Sequence, residues 1–323
     1  MKILNFVFVI SSIFFTSAET AFAFDIPLDV HVHFHPKGFY HYPQVYDGAE
    51  AFLNQKLVKK AFLISPSFQV TKKQVQPVGW AEAWMGNLKM RTQLDEKTSE
   101  IVQKHPDRFY GLCGFNTSWT DGIDVVTNCL SRKGMVGVKI HTAYSGTSST
   151  DPEFDRISVL FQNIGKYKPI VLWHPYDDVT SDIALSEKMK TELSKLYEII
   201  STFPHVTFII AHSFGDGSLI NFFSELESKY KKLENVYLEM SVTLPFAEIS
   251  DSEAQLLRTI SHAWRKFGMD RVLYGSDLGC IPDQELHLSQ IKNHMGLSED
   301  ETTKLLRLNS ERFLQKIIQS QPY

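Results

Sequence analysis

Short apolar runs alternate with longer segments of helical periodicity along almost the whole chain. Eight of the runs have strand character, and because they are largely apolar they are typical of strands covered on both faces. Seven of the predicted strands cover residues 61–64, 109–115, 134–141, 169–174, 206–212, 236–240 and 271–277, and an earlier one carries Ile26 to Val32 and ends before Pro36. Regular strand–helix alternation predicts a parallel sheet.

Eight strand–helix units in about 300 residues fit a single-domain α/β fold, the closed (β/α)8 or TIM barrel. The alternative is an open, doubly wound sheet. That alternative is less favoured because no glycine-rich phosphate-binding loop follows the first strand. The barrel prediction bears on function, since the active sites of such barrels lie at the carboxyl ends of the strands.

The first 23 residues have a different pattern. A charged start, Met1-Lys2, precedes a mostly apolar run over 3–15, and Ala21-Phe22-Ala23 follows as a small-x-small cleavage pattern. This predicts a secretory signal peptide, residues 1–23, and a mature domain, residues 24–323. The alternative is a membrane anchor, but the run is shorter than the roughly 20 apolar residues of a spanning helix. We therefore expect an exported protein, periplasmic or secreted, with no stable membrane span after cleavage.

The amino-acid composition indicates which classes of binding partner to expect. With 43% hydrophobic and 22% charged residues the chain is typical of a soluble globular protein, and a net charge of −4 gives no support for nucleic-acid binding. We expect a small-molecule substrate, and the sequence leaves a homo-oligomer open.

Three cysteines are too few for a disulfide framework, so Cys113 and Cys129 are predicted as buried small hydrophobic residues. Cys280 follows Asp277 closely, and its role stays open.

Two histidines mark the end of the first strand. His31 and His33 are two residues apart, so in a strand their side chains share one face. Two neighbouring imidazoles at a strand end make half of a metal site. His35 continues the alternation but lies beside Pro36, past the expected strand end, and is left out of the predicted site.

Four later strands carry residues of similar chemistry where they end. These residues are Lys139 and His141 on the fourth strand, His174 on the fifth, His212 on the sixth and Asp277 on the eighth. Any one of the histidines alone is consistent with a structural role, but the strand ends of a barrel converge on one mouth. Lys139 interrupts an apolar strand, where burial is costly unless the lysine is paired or functional. We therefore predict one site built from these residues together with His31 and His33.

The segments around these residues resemble the amidohydrolase superfamily, specifically its amidohydrolase-related branch (amidohydrolase 2), which includes zinc-dependent decarboxylases as well as hydrolases. The segments are Asp29-Val30-His31-Val32-His33, His105-Pro106-Asp107-Arg108-Phe109, Gly137-Val138-Lys139-Ile140-His141, Arg271-Val272-Leu273-Tyr274-Gly275-Ser276-Asp277 and Asn309-Ser310-Glu311-Arg312-Phe313. His174 and His212 match the histidines of the fifth and sixth strands. The order and spacing of the segments together are specific.

The resemblance implies one divalent metal ion, zinc in the first instance, held by His31, His33, His174 and Asp277. It also implies that His212 is the acid/base, with Asp277 as a further proton carrier. Three imidazoles and one carboxylate with an open position form a Lewis-acid site that lowers the pKa of a bound water to about 7. A second metal ion, bridged by a carbamylated Lys139, is the less favoured alternative.

Substrate contacts are predicted from two regions. Lys139 and His141 lie at the end of the fourth strand, and Trp80 and Trp84 belong to a segment that either forms an aromatic substrate wall or packs on the barrel. The main hypothesis is a metal-dependent hydrolase that cleaves an amide, ester or lactone bond of a small molecule, with metal-activated water as nucleophile and His212 as acid/base. The predicted export favours this hypothesis, because the characterised decarboxylases of the branch are generally intracellular.

Two alternatives stay open. One is a zinc-dependent, non-oxidative decarboxylase of a small unsaturated or aromatic carboxylate. That reaction calls for an arginine to hold the carboxylate, and Arg91 is the only arginine in the early loop region. The other alternative is a non-catalytic, metal-binding periplasmic protein.

Overall fold

The computed structural model describes residues 25–35, 47–69, 88–142, 152–175, 186–241, 250–279 and 284–320. These residues form one sheet of eight parallel strands in the order of the sequence. The strands are β1 (Ile26–His33), β2 (Val58–Ile64), β3 (Phe109–Phe115), β4 (Met135–His141), β5 (Ile170–His174), β6 (Thr207–Ile210), β7 (Val236–Glu239) and β8 (Val272–Leu273). Val30 N donates to Tyr274 O at 3.0 Å and His33 N to Leu278 O at 2.8 Å, which joins β1 to the segment of β8. The sheet is therefore a nearly closed barrel of the predicted (β/α)8 type.

Helices follow the strands along the chain. They are α1 (Gly48–Asn54), α2 (Leu88–Lys104), α3 (Gly122–Leu130), α4 (Asp155–Ile164), α5 (Glu187–Thr202), α6 (Gly217–Lys229), α7 (Asp251–Phe267), α8 (Gln284–His294), α9 (Glu299–Thr303) and α10 (Asn309–Ser320). A π-helical turn, Lys304–Leu308, connects α9 to α10. Short 3-10 turns cover Pro66–Gln69, Pro152–Phe154, Gly165–Tyr167, Ala211–Gly215 and Met269–Arg271. Within the described ranges, every helix is too short or too polar to cross a membrane.

The predicted elements are confirmed apart from their ends and one helix. β2 begins at Val58, three residues before the predicted start, because the strand also includes Lys59 and Lys60. β6 ends at Ile210 rather than at His212, since a turn of left-handed conformation follows it. β8 keeps only two strand residues. Helix α8 was not predicted, because its few apolar positions do not repeat at helical spacing.

The hydrophobic core has two parts. The larger part lies between the strands and the surrounding helices. A smaller cluster combines side chains from most of the strands, such as Leu28, Phe62 and Leu172, with Phe313 and Ile317 of α10. This second cluster fills the barrel interior below the site, so the strand ends above it are held by packing on both faces of the sheet.

The structure corrects the interpretation of two cysteines. Cys113 on β3 and Cys129 on α3 form a disulfide bond, whereas the sequence predicted two unlinked residues. Both are buried as predicted, at 0% and 2% exposure. The bond ties a barrel strand to a neighbouring helix. This pairing depends on how the helix packs on the sheet, which spacing along the chain does not reveal. Cys280 lies outside the described residues.

A buried aspartate lies on α2 near the ends of β2 and β3. Asp95 is 1% exposed. Its Oδ1 accepts hydrogen bonds from Ser67 Oγ at 2.7 Å and from Gly114 N at 3.4 Å. Burial outweighs these bonds and raises the pKa of Asp95 to about 6.

Replacing Asp95 by asparagine is expected to change how the free energy of unfolding depends on pH. The pKa of Asp95 rises from 3.8 to about 6 on folding. Its stabilising contribution is therefore complete below about pH 4 and is lost as the pH rises through about 6, a change on the order of 3 kcal/mol. Urea unfolding of both proteins between pH 4 and 7.5 measures this effect. The wild-type protein should lose up to that amount relative to Asp95→Asn, and parallel curves would contradict the assignment.

Candidate active site

Three of the predicted metal ligands come together at the carboxyl ends of β1 and β8. His31 and His33 are buried on β1, whose pairing with β2 is irregular between Asp29 and Val32. Their Nε2 atoms lie 3.1 Å apart. Asp277 Oδ1 lies 3.4 Å from His31 Nε2 and 3.0 Å from His33 Nε2. We call these three residues, His31, His33 and Asp277, the ligand trio.

The ligand trio fits one divalent metal ion. Ligand atoms about 2.1 Å from a common ion lie about 3.0 Å apart in octahedral and about 3.4 Å apart in tetrahedral coordination. The three observed separations cover the same range. Asp277 Oδ1 is also buried without a well-aligned hydrogen-bond donor among the described residues. A cation bound by the trio would satisfy this oxygen.

The electrostatics of the trio favour the forms that bind metal. Burial lowers the pKa of both histidines, that of His31 furthest, and the positive charge of Lys139 adds to the effect. The imidazoles are therefore neutral and keep a lone pair for a ligand bond. Burial opposes ionisation of Asp277, but its interaction with His31 and a hydrogen bond from His33 outweigh burial and hold the pKa of Asp277 well below its usual range.

A carboxylate that the sequence reasoning missed lies behind His31. Glu239, the last residue of β7, accepts a hydrogen bond from His31 Nδ1 at 2.8 Å. Because a carboxylate only accepts, the proton of His31 is on Nδ1 and Nε2 is free to bind metal. Glu239 also accepts from Ser241 N and Ser241 Oγ, each at 2.6 Å, so it supports the site rather than ligating. A Cβ at position 275 would lie 2.3 Å from Glu239 Oε2, so only glycine fits at this position.

His212 lies in a strained turn after β6. His212, Ser213 and Phe214 have φ angles of 54°, 49° and 62°. This left-handed conformation costs about 1 kcal/mol or more per non-glycine residue. Glu239 holds the turn, since its Oε1 accepts from His212 N and its backbone O from Ser213 Oγ, both at 2.8 Å. Trp264 Nε1 donates to Ser213 Oγ at 2.9 Å. Strain maintained in this way is typical of functional sites.

The ring of His212 has a defined tautomer. Its Nδ1 lies 2.8 Å from the backbone O of Ser241, and because a carbonyl only accepts, Nδ1 carries the proton. His212 Nε2 is left with a lone pair. The ring centroid lies 5.1 Å from that of His31 and 4.4 Å from that of His174. His212 is therefore positioned as a proton acceptor beside the ligand trio.

Three further predicted residues join the same cluster. Lys139 is 1% exposed, and its Nζ lies 3.2 Å from His31 Nε2. The rings of His141 and His174 lie 3.9 Å apart between centroids. Burial lowers the pKa of both histidines well below the usual value. Among the described residues, the ligand atoms of His31, His33 and Asp277 all lie within 4.8 Å of one another, and His174 is not part of this group.

Comparison with protein families now identifies the chain. The family model described as Amidohydrolase matches residues 28–316, which covers the barrel and the ligand trio. The chain belongs to the amidohydrolase family. This confirms the resemblance drawn from the sequence motifs. A search of curated proteins gave no match.

Solved structures share the fold of this amidohydrolase. A protein described as amidohydrolase II has a TM-score of 0.58 at 14% identity, over 90% of this chain and 99% of the other. The 5-carboxyvanillate decarboxylase of Novosphingobium aromaticivorans, complexed with manganese and 4-hydroxy-3-methoxy-5-nitrobenzoic acid, has a TM-score of 0.56 at 14% identity, over 91% and 97%. Dihydroxybenzoic acid decarboxylase of Polaromonas sp. JS666, with manganese and the inhibitor 2-nitroresorcinol, has a TM-score of 0.57 at 14% identity, over 90% and 97%.

The arginines of this amidohydrolase are engaged away from the cluster. Arg91, the candidate from the sequence, donates to both carboxylate oxygens of Asp121, at 2.9 and 3.0 Å. All nine arginines of the sequence lie in the described ranges. The other eight, which bind carboxylates, amides or backbone oxygens, are Arg108, Arg132, Arg156, Arg258, Arg265, Arg271, Arg307 and Arg312. Lys139 is therefore the cation that contacts the ligand trio among the described residues.

The surroundings of the site include His35, which was left out of the predicted site, and the predicted aromatic wall. His35, which the sequence reasoning left out, is buried at 4% exposure. It stacks on His33, with ring centroids 5.2 Å apart and an interplanar angle of 12°. The predicted aromatic wall of Trp80 and Trp84 lies outside the described residues and stays a prediction.

Proposed function

We propose that this amidohydrolase is a metal-dependent decarboxylase of a small unsaturated or aromatic carboxylate. The observation that carries the proposal is Lys139, a buried cation that contacts the ligand trio and lies among imidazoles, such as those of His31 and His141, whose pKa is lowered by burial. With a divalent ion bound, the ion and Lys139 would both be positive, and together they would attract a substrate carboxylate. The shared fold with carboxyvanillate and dihydroxybenzoic acid decarboxylases supports the same choice.

The charge of Lys139 acts on much of the site. After burial, it is among the causes that lower the pKa of His31, His33, His141 and His174. A cation that disfavours protonation of four neighbouring imidazoles also stabilises an anion in the same space. The sequence-based hypothesis assigned carboxylate binding to an arginine. Because every arginine is engaged elsewhere, we assign that role to Lys139.

One divalent ion per chain is proposed for the ligand trio, with His174 as the nearest further imidazole of the predicted ligand set. Imidazole and carboxylate ligands suit zinc, and the manganese in two decarboxylases of this fold makes manganese the second candidate. When bound, the ion supplies Lewis acidity toward a substrate oxygen. Elemental analysis of the purified protein tests this number and identity.

The chain's own residues account for the remaining chemistry. Lys139 binds the substrate carboxylate through its ammonium group. The bond from the carboxyl carbon to the adjacent unsaturated carbon breaks, carbon dioxide leaves, and the electron pair stays on the unsaturated carbon. His212 takes up a proton from solvent on Nε2 and then delivers it to that carbon, since its Nδ1 proton is held by Ser241 O. The buried ring of His141 and the half-buried ring of His174 restrict access of water to this space.

Carbon dioxide release tests the proposal directly. The metal-loaded protein is assayed with 2,6-dihydroxybenzoate, 5-carboxyvanillate and related acids, beside a panel of esters, amides and lactones. Lys139→Met is expected to raise KM for the carboxylate about 10- to 100-fold, because an ionic hydrogen bond contributes about 1.5–3 kcal/mol. Its metal content should persist. Lys59→Met, which removes an exposed lysine paired with Asp25, is the matched control. An unchanged KM in Lys139→Met would contradict the assignment.

Hydrolysis is the second candidate, favoured by the free Nε2 of His212. The lone pair of Nε2 can remove a proton from a water nucleophile. After the ring is protonated, the same nitrogen can donate a proton to carbon, so the position of His212 suits both reactions. The same substrate panel separates the two reactions. Turnover of an ester, amide or lactone without carbon dioxide release from any acid would favour the hydrolase.

We also propose that the protein is exported. The predicted signal peptide and the bond between Cys113 and Cys129 support this, because disulfides persist in oxidising compartments. Expression of the full chain in a bacterial host should place a product that begins at Phe24 in the periplasmic fraction. After denaturation without reductant it should have one free thiol of its three cysteines. A cytoplasmic product that keeps Met1 and has three free thiols would contradict the proposal.

A further inference from the structure

The carboxylate of Asp29 is buried where β1 meets the segment of β8. Its exposure is 0%. Oδ1 accepts hydrogen bonds from the backbone N of His31 and of Ser276, both at 3.0 Å. Oδ2 accepts from Ser276 Oγ at 2.6 Å and from Gln284 Nε2 at 2.8 Å. With two donors on each oxygen, Asp29 is engaged within the protein and is not itself directed at a metal ion.

The partners of Asp29 carry the ligand trio. His31 is a member of the trio, and Ser276 immediately precedes another member, Asp277. Asp277 has a φ of 59°, in the left-handed region. Ser276 Oγ, which donates to Asp29, also accepts from Leu278 N at 3.1 Å and so connects both sides of Asp277. One carboxylate therefore contacts the backbone of both ligand-bearing segments.

This connection adds to the few backbone hydrogen bonds between β1 and the segment of β8. β8 ends at Leu273, so residues 274–277 have no continuous strand pairing with β7 or β1. A left-handed non-glycine residue such as Asp277 persists only when its surroundings hold it. The 3.4 Å separation of His31 Nε2 and Asp277 Oδ1 consequently depends on the bonds that join the two segments.

We propose that Asp29 is a positioning residue of the metal centre, which sets the separation between the ligand atoms of His31 and Asp277. The proposal rests on the metal-binding function proposed above. Supporting residues of this kind typically change metal affinity by about 10- to 100-fold when they are removed. The role of Asp29 is thereby distinct from that of Glu239, which fixes the tautomer of His31.

Titration with Co²⁺, followed by its visible absorption bands, tests the proposal without any substrate. Asp29→Ala is expected to bind Co²⁺ about 10- to 100-fold more weakly than the wild-type protein, with altered bands. Asp29→Asn should recover most of the affinity. Its amide oxygen can accept the two backbone N–H groups, and Gln284 can turn its carbonyl Oε1, which has no hydrogen-bond partner among the described residues, toward the new NH2 group.

Asp95→Ala is the control, because Asp95 is similarly buried and its Oδ1 accepts two hydrogen bonds, from Ser67 Oγ and Gly114 N, neither of which belongs to the ligand trio. It should lose stability while keeping its affinity for Co²⁺. If Asp29→Ala does not fold, Ser276→Ala removes one of the four bonds and should give a smaller loss of affinity.

Several outcomes would overturn the proposal. The proposal fails if Asp29→Ala, or a folded Ser276→Ala in its place, binds Co²⁺ as tightly as the wild-type protein. It also fails if Asp29→Asn binds as weakly as Asp29→Ala, or if Asp95→Ala loses as much affinity. In these cases wild-type binding of Co²⁺ still stands, and only the role of Asp29 fails. Absence of Co²⁺ binding by the wild-type protein would remove the metal centre and this role together.

Discussion

His31→Ala is expected to leave the protein almost free of bound metal and without the proposed decarboxylase activity. The Nε2 of His31 lies within 3.1–3.4 Å of both other ligand atoms, and its orientation is set by the bond from Nδ1 to Glu239. Removal of a supporting residue weakens metal binding about 10- to 100-fold, so removal of the ligand itself should weaken it by more than about 100-fold. Metal content after dialysis and carbon dioxide release measure the two losses.

His287→Ala is the matched control for that variant. His287 is buried at 2% exposure, and burial lowers its pKa to about 4, but its Nε2 donates to Met240 O and, among the described residues, it makes no hydrogen bond to the ligand trio. It should cost stability in the same range as His31→Ala while the metal content persists. Metal bound by His31→Ala at the wild-type level would show that the ion sits elsewhere.

The second large effect is expected at Glu239. In Glu239→Ala, four donors lose their acceptor, namely His31 Nδ1, His212 N, Ser241 N and Ser241 Oγ. Each unsatisfied buried group costs about 1–3 kcal/mol, so the free energy of unfolding should fall by about 3–5 kcal/mol. Activity should fall as well, because the tautomer of His31 and the turn that carries His212 both depend on this carboxylate.

Glu239→Gln separates these two effects. The amide keeps one acceptor oxygen for His31 Nδ1 and His212 N, while its NH2 group opposes Ser241 N, so the loss of stability should be smaller than in Glu239→Ala. Metal affinity should still fall about 10- to 100-fold. Urea unfolding and metal titration give both values.

Glu227→Gln serves as the control for Glu239→Gln. Glu227 is buried at 7% exposure and binds Arg271 through both oxygens, at 2.8 and 2.7 Å, on helix α6. Its replacement should lower stability and leave metal affinity unchanged. Equal losses of metal affinity in the two variants would indicate that Glu239 acts through general stability alone.

The barrel and most of its candidate site could be predicted from the sequence because both depend on local patterns. Apolar runs at regular intervals determine the strands, and residues at strand ends share one mouth in any parallel barrel. His31 and His33 needed only the two-residue period of a strand, and their closeness is confirmed. Glu239 was missed although it obeys the same rule, since it ends β7 just as His174 ends β5.

Other features depend on distances between elements that are far apart in the chain. Asp29 is separated from Ser276 by 247 residues, and the sequence alone does not show that their segments are adjacent. The bond between Cys113 and Cys129 required the packing of α3 on β3. The engagement of Arg91 by Asp121 likewise follows from how two helical segments meet, and it removed the arginine from the candidate site.

By itself, the sequence determined the strand order, the mouth of the barrel and the residue types that gather there, because hydrophobic periodicity and chain order are properties of neighbouring residues. The tertiary structure alone decided which of those residues share a metal-sized space, which carboxylate sets the tautomer of His31, and that Lys139 is the cation beside the trio. These depend on closure of the barrel between β1 and β8. That closure brings residues from opposite ends of the chain within hydrogen-bonding distance.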